Sequence, residues 1–146
     1  MKKLYILFFT LIFSSQVLNA SYKEQTLLET CGVLSAQGIY ITYSAIGSLA
    51  DAYQSNAYDD ETALQILSEY VGLTQVVIEQ LNILLQSGIL VGEDVGAIIE
   101  LNNIYELLVA EATALGDFIS TGDQSYVYIY DSNRIKAWSK IEKLFE

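Results

Sequence analysis

The chain has 146 residues, of which 18 are acidic and 7 are basic, so its net charge at pH 7 is −11. A chain this acidic repels the phosphate backbone, which argues against nucleic acid as a partner. It contains no histidine, and this excludes Ser-His-Asp catalysis, histidine-ligated haem and most zinc sites.

The N-terminus has the three-part pattern of a secretory signal peptide. Two lysines precede an apolar run from Leu4 to Phe13, and a polar stretch ends at Ala20. The run is about ten residues, shorter than the roughly twenty that span a bilayer. The pattern predicts a signal peptide over residues 1–20 and export to a periplasm or to the outside of the cell. Leu18 is bulky for its position before the cleavage site, which leaves an uncleaved anchor as the alternative.

Residues 21–146 are then expected to form a single acidic domain. Their one cysteine, Cys31, excludes an internal disulfide, so the domain must be held together by packing. We expect Cys31 to be a small buried apolar residue, with an intermolecular disulfide as the alternative.

Apolar residues recur at steps of three and four along this domain, and proline is absent, which is typical of helices in a bundle. The first helix is predicted from about Tyr22 to Gln54. No charged residue occurs between Thr30 and Ala50, so both of its faces are apolar. The face predicted to pack in the core contains Leu27, Cys31, Leu34, Gly38, Ile41, Ala45, Ser48 and Ala52.

The second and third helices are predicted to begin at Asp59–Glu61 and Glu93–Asp94, because acidic residues stabilise the positive end of a helix dipole. Gly122 is predicted to end the third helix and Asp123 to cap the next. The second apolar stripe comprises Leu64, Leu67, Val71, Thr74, Ile78, Leu81 and Leu85. The third comprises Ile98, Leu101, Tyr105, Leu108, Ala112, Leu115 and Ile119.

The last segment has two interpretations. Tyr126–Tyr130 has the aromatic and β-branched content of a strand, but a lone strand has no partner here. We therefore predict a helix, with a break at Asp131–Asn133 as the alternative. Four helices joined by short turns predict an all-α fold, an antiparallel up-down-up-down four-helix bundle that follows the signal peptide.

The second face of the first helix is a predicted interaction surface. It contains Ala36, Tyr40, Tyr43 and Gly47, and a helix that is apolar all round is either buried on every side or in contact with something outside its bundle. Self-association, a protein partner and membrane insertion would each account for it. Polar residues such as Gln37 and Thr42 argue against insertion, so a protein partner or a homo-oligomer is favoured.

The last helix offers a basic surface. Lys136, Lys140 and Lys143 share one side, and such a face binds anionic headgroups or an acidic partner. The alternative is that these lysines lie in solvent or near acids of a neighbouring helix. Arg134 projects toward the opposite, apolar side and is expected to pair with a carboxylate of another helix. That apolar side comprises Ile135, Trp138, Ile141 and Phe145.

No motif indicates a catalytic residue, a metal site or a cofactor. Asp59–Glu61 and Glu93–Asp94 are candidate calcium ligands, but acidic residues at helix starts are their simpler explanation. The expected function is therefore non-catalytic protein binding by an exported helical bundle. The alternatives are an exported effector that binds anionic lipid or phosphorylated headgroups through the three lysines, and a carboxylate-based hydrolase or divalent-cation binder.

Overall fold

The computed structural model describes the backbone of residues 2–144 and the side chains of residues 26–144. The described residues form four helices and no strand. These are α1 (Lys2–Gln54), α2 (Asp60–Gln86), α3 (Glu93–Thr121) and α4 (Ser125–Leu144). The chain divides into two units, Met1–Leu34 and Ser35–Glu146. The all-helical prediction is confirmed, and α4 is a continuous helix that includes both the strand-like segment and the predicted break.

The helix ends agree with the capping residues predicted from the sequence. The Asp59 side chain accepts a hydrogen bond of 2.8 Å from the backbone N–H of Thr62, which satisfies a free donor at the start of α2. Gly122 ends α3 with a φ of 70°, the left-handed conformation that favours glycine. Asp123 in turn accepts a 2.9 Å hydrogen bond from the backbone N–H of Ser125.

Helix α3 is the centre of the second unit and packs against both α2 and α4. Every residue of its predicted stripe is buried, and so are residues on other sides, including Ile104 and Glu111. A helix with neighbours on both sides must be apolar over most of its circumference. Helix α2 buries one stripe against α3, as expected for an amphipathic helix, with Leu67, Thr74 and Leu81 at its centre.

The core-facing side of α1 was predicted wrongly. Within the second unit Ile39, Ile46 and Leu49 are buried, whereas Ile41 is 56% exposed and Ser48 is exposed as well. The uncharged run leaves α1 with two apolar faces, so periodicity alone cannot decide which of them turns inward. The choice follows from close contacts that only residues without a side chain allow, as described below.

The apolar side of α4 was also predicted wrongly in part. Ile141 and Ala137 are completely buried, but Ile135 is 70% exposed and Trp138 is 38% exposed. Phe145 lies outside the described residues. The inward side is rotated toward Arg134 because the guanidinium has a buried acidic partner, and this contact outweighs the burial of Ile135.

Cys31 is exposed, so the prediction of a buried thiol is wrong. It lies in the first unit, where Leu27, Val33 and Leu34 are each at least 60% exposed. This unit is a stretch of the single helix α1, and one helix cannot enclose its own side chains.

Two glycines let α1 approach its neighbours closely. The Tyr105 hydroxyl of α3 donates a 3.0 Å hydrogen bond to the backbone carbonyl of Ser35, and a Cβ on Gly38 would collide with this hydroxyl. A Cβ on Gly47 would collide with the guanidinium of Arg134 in α4. Both glycines therefore mark positions where a side chain of another helix lies directly on the α1 backbone.

Gly47→Ala is expected to destabilise the protein by about 1–3 kcal/mol, because the added methyl group displaces the guanidinium. Gly72→Ala is the matched control, since Gly72 is also helical and a Cβ there meets no neighbouring atom. The control is expected to be neutral or stabilising by up to about 1 kcal/mol. Urea unfolding measures both, and equal stability of the two variants would contradict the close contact at Gly47.

Candidate functional site

Arg134 joins three helices through one side chain. Its Nη1 atom donates a 2.7 Å hydrogen bond to Glu111 Oε1 of α3 and a 3.2 Å hydrogen bond to the backbone carbonyl of Tyr43 in α1. The predicted pairing of Arg134 with an acid of a neighbouring helix is confirmed. The Glu111 side chain is fully buried, while the Arg134 side chain is 27% exposed.

The aromatic ring of Tyr43 completes the arginine site. The guanidinium carbon lies 4.0 Å from the centroid of this ring, within the range of a cation–π interaction. Trp138 stacks beside Tyr43, with ring centroids 5.4 Å apart. The guanidinium thus lies between the Tyr43 ring, the bare backbone at Gly47 and the buried carboxylate of Glu111.

Burial raises the pKa of Glu111 to about 7, although the hydrogen bond and the charge of Arg134 act in the opposite direction. Its second oxygen, Oε2, is buried and has no hydrogen-bond partner among the side chains and backbone that the structure describes. A buried carboxylate oxygen without a donor destabilises the ionised form. Burial also raises the pKa of Tyr130, to about 12, so this neighbouring hydroxyl keeps its proton at neutral pH.

A large cleft opens next to Arg134, with a volume of about 1180 Å³. Its walls come from the C-terminal end of α1, the connection to α2, the end of α3 and the start of α4. Leu115, Phe118 and Val127 supply apolar lining. The polar and aromatic lining comprises Asp51, Tyr53, Gln54, Asn56, Tyr58, Asp59, Asp60, Glu61, Gln124, Tyr130, Asp131 and Arg134.

The cleft is strongly acidic. Asp59 is engaged in capping α2, and Asp60 accepts a 3.0 Å hydrogen bond from the Tyr53 hydroxyl. Asp51, Glu61 and Asp131 form no ion pair within the part of the chain that the structure describes. The cationic residue in this lining is Arg134, which is already paired with the carboxyl of Glu111. The cleft therefore presents carboxylates and tyrosine rings to whatever enters it.

A smaller cavity of about 470 Å³ is also lined by Arg134. Tyr43, Trp138 and Ile135 supply its apolar lining, and Glu142 and Ser139 supply polar groups. Arg134 and Asp131 line both cavities. The arginine therefore links the two openings as well as the three helices.

The structure separates the residues of the predicted α1 interface. Gly47 is buried beneath the guanidinium, and Tyr43 is half-buried between Arg134 and Trp138. Ala36 is half-buried, and Tyr40 is 48% exposed. The four residues thus occupy different surroundings, and only Tyr40 is mainly accessible.

The predicted basic face is also divided. Lys140 Nζ forms a 2.7 Å ion pair with Glu100 Oε1 of α3, and this hydrogen bond lowers the pKa of Glu100. Lys136 and Lys143 are exposed. For Lys140 the alternative interpretation is therefore confirmed, since this lysine lies near an acid of a neighbouring helix.

The cleft itself was not predicted. The acids Asp59–Glu61 appeared in the sequence only as a helix start, and Asp51, Tyr53 and Asp131 carried no shared pattern. The available signal was the density of tyrosines and acids at the two predicted turns that precede α2 and α4. Turns at the same end of a bundle bring such residues together, but this inference requires the helix directions.

In residues with described side chains, no helix is both long and apolar enough to cross a membrane. The same residues contain no group of three or more acidic or cysteine side chains placed to hold a metal ion. Comparisons of the chain with protein-family models, with curated proteins and with solved structures find no match.

Arg134→Ala is expected to destabilise the protein by about 3 kcal/mol or more, because it leaves a fully buried carboxyl without its partner. Lys140→Ala removes the same charge from the same helix, but both side chains of its ion pair are partly exposed, so the expected loss is about 0–1 kcal/mol. Urea unfolding at pH 8 compares the two variants. Similar losses would show that the burial of Glu111 is not what gives the arginine its role.

Proposed function

We propose that the chain is a non-catalytic binding protein whose acidic cleft captures a positively charged segment of a partner protein. The observation that carries this proposal is the cleft of about 1180 Å³, in which carboxylates that form no ion pair with any described residue lie beside tyrosine rings. Carboxylates attract ammonium and guanidinium groups, and tyrosine rings add cation–π contacts. The apolar lining accommodates the hydrocarbon stems of lysine or arginine side chains.

The size of the cleft supports a peptide-sized ligand. Small-molecule pockets have volumes of roughly 300–1000 Å³, and this cleft is slightly larger. The net charge of −11 extends the attraction beyond the cleft, because it steers cationic partners toward the protein. The sequence contains no histidine and no catalytic motif, so we propose that the cleft binds the segment without catalysing a reaction on it.

The fold is proposed to be an antiparallel up-down-up-down bundle. The connections between its helices are confined to residues 55–59, 87–92 and 122–124, and connections this short favour antiparallel neighbours. In this arrangement the α1–α2 and α3–α4 turns lie at the same end, which accounts for their shared contribution to the cleft.

We also propose that the protein is exported and acts in a periplasm or outside the cell. The support is the signal-peptide pattern of residues 1–20. Mass spectrometry of protein recovered from the culture medium or the periplasm is expected to find Ser21 as the N-terminal residue. Released protein that still begins at Met1 would contradict cleavage at Ala20.

Self-association through α1 remains a proposal for the accessible part of the predicted interface, around Tyr40. Binding of anionic headgroups through Lys136, Lys140 and Lys143 is the weaker alternative, because Lys140 is already paired with Glu100. Binding of headgroups by the lysines and binding of a cation by the acidic cleft would both weaken as the salt concentration rises. The two are instead distinguished by the charge of the ligand. Anionic vesicles would select the lysines, and a cationic peptide selects the cleft.

Neutralising Asp51 and Glu61 together, by Asp51→Asn and Glu61→Gln, is expected to weaken binding of octalysine by about tenfold or more. Each lost carboxylate removes on the order of 1 kcal/mol of attraction at contact distance in water. Isothermal titration calorimetry at low ionic strength measures the affinity, and octaglutamate is expected not to bind.

The matched control is the double variant Asp94→Asn and Glu79→Gln, which makes the same chemical changes at exposed positions outside the cleft. Its affinity is expected to stay within about twofold of wild type. Equal losses in the two double variants would mean that octalysine responds only to net charge, and the cleft would then have no special role.

A further inference from the structure

Glu111 has a free position for a proton. Its Oε1 atom accepts the hydrogen bond of Arg134, while Oε2 is buried with no hydrogen-bond partner in the described part of the chain. A proton on Oε2 would remove the negative charge of the carboxyl and leave the hydrogen bond at Oε1 in place. The geometry therefore allows Glu111 to change its charge without breaking the contact that joins α3 to α4.

The positive charge of Arg134 contributes to the electrostatic potential in both cavities. Its side chain is partly exposed and lines both of them, whereas Glu111 lines neither. With Glu111 ionised, the pair has no net charge. With Glu111 protonated, the same guanidinium stands in the wall of the cleft as an unneutralised cation.

We propose that Glu111 is a proton-operated control of the acidic cleft, in which proton binding leaves Arg134 uncompensated and weakens the capture of a cationic segment. This inference rests on the proposed function, since it assigns a regulation to the same cleft. The burial that raises the pKa of Glu111 to about 7 places the change near neutral pH.

The groups around Glu111 do not compete for the proton. Arg134 and Tyr130 face it from α4, and Tyr43 faces it from α1. Burial raises the pKa of both tyrosines, so both stay neutral between pH 6 and 8. Among the described residues, only the charge of Arg134 acts on the Glu111 carboxyl, so α2 contributes no titrating group.

The direction of the effect follows from the charges. As pH falls from 8 to 6, Glu111 gains its proton, and one positive charge is added to the wall of the cleft. The affinity for octalysine is then expected to fall by about two- to tenfold, the range for one charge at intermediate distance in a partly screened site.

Two measurements test the proposal. Carbon-13 NMR of the purified chain, with the side-chain carboxyl of Glu111 assigned through its bonds, is expected to show a titration near pH 7 in the absence of ligand. Calorimetry with octalysine at pH 8 and pH 6 is expected to show the loss of affinity in wild type. Glu111→Gln, which keeps the acceptor for Arg134 but cannot ionise, is expected to bind weakly at both pH values.

The outcomes separate this proposal from the one on which it rests. If octalysine binds but Glu111 titrates below pH 5, the switch is wrong and the binding function stands. If wild type and Glu111→Gln lose affinity equally between pH 8 and pH 6, another group is responsible, and the switch is again wrong. If Glu111 titrates near pH 7 but octalysine binds at neither pH, then both the capture of cationic segments and its control are wrong.

Discussion

The contact between Arg134 and Glu111 is the interaction on which the arrangement of three helices depends. A fully buried carboxyl is unfavourable unless a cation or a donor accompanies it, and among the residues with described side chains Arg134 is the cation that pairs with Glu111. In this position the guanidinium lies against the α1 backbone at Gly47, where there is no side chain to displace it. The inward face of α1, the rotation of α4 and the exposure of Ile135 all follow from this requirement.

The same contact lies beside both openings, because Arg134 lines each of them. A polar cluster between helices cannot be filled by apolar side chains, so the core is less tightly closed around Arg134 than around Ile104 and Leu108 in the middle of α3. The cluster therefore has a structural role and also shapes the surface. Buried ionic groups often contribute less to stability than apolar packing of the same volume.

The sequence predicts the parts of this fold that depend on local chemistry. The stripe of α3 from Ile98 to Ile119, the acidic starts of α2 and α3, and the glycine that ends α3 are all visible as patterns, and the structure confirms them. The pairing of Arg134 was also predictable, because an arginine on an apolar face of a helix needs an acid. Its partner Glu111 was not, since it lies outside the stripe that periodicity selects in α3.

What periodicity cannot predict is which of two similar faces turns inward. In α1 the alternatives differ by small residues, and the decision is made by Tyr105 and Arg134, which come from other helices and approach at Gly38 and Gly47. The cleft is harder still to predict from the sequence, because its residues come close together only after the helices have packed.

The most direct test of the account is a double-mutant cycle with Glu111→Gln and Arg134→Met, measured by urea unfolding at pH 8. A coupling energy of at least about 1.5 kcal/mol is expected for a buried pair in contact, and a value within about 0.5 kcal/mol of zero would contradict the central role given to this contact.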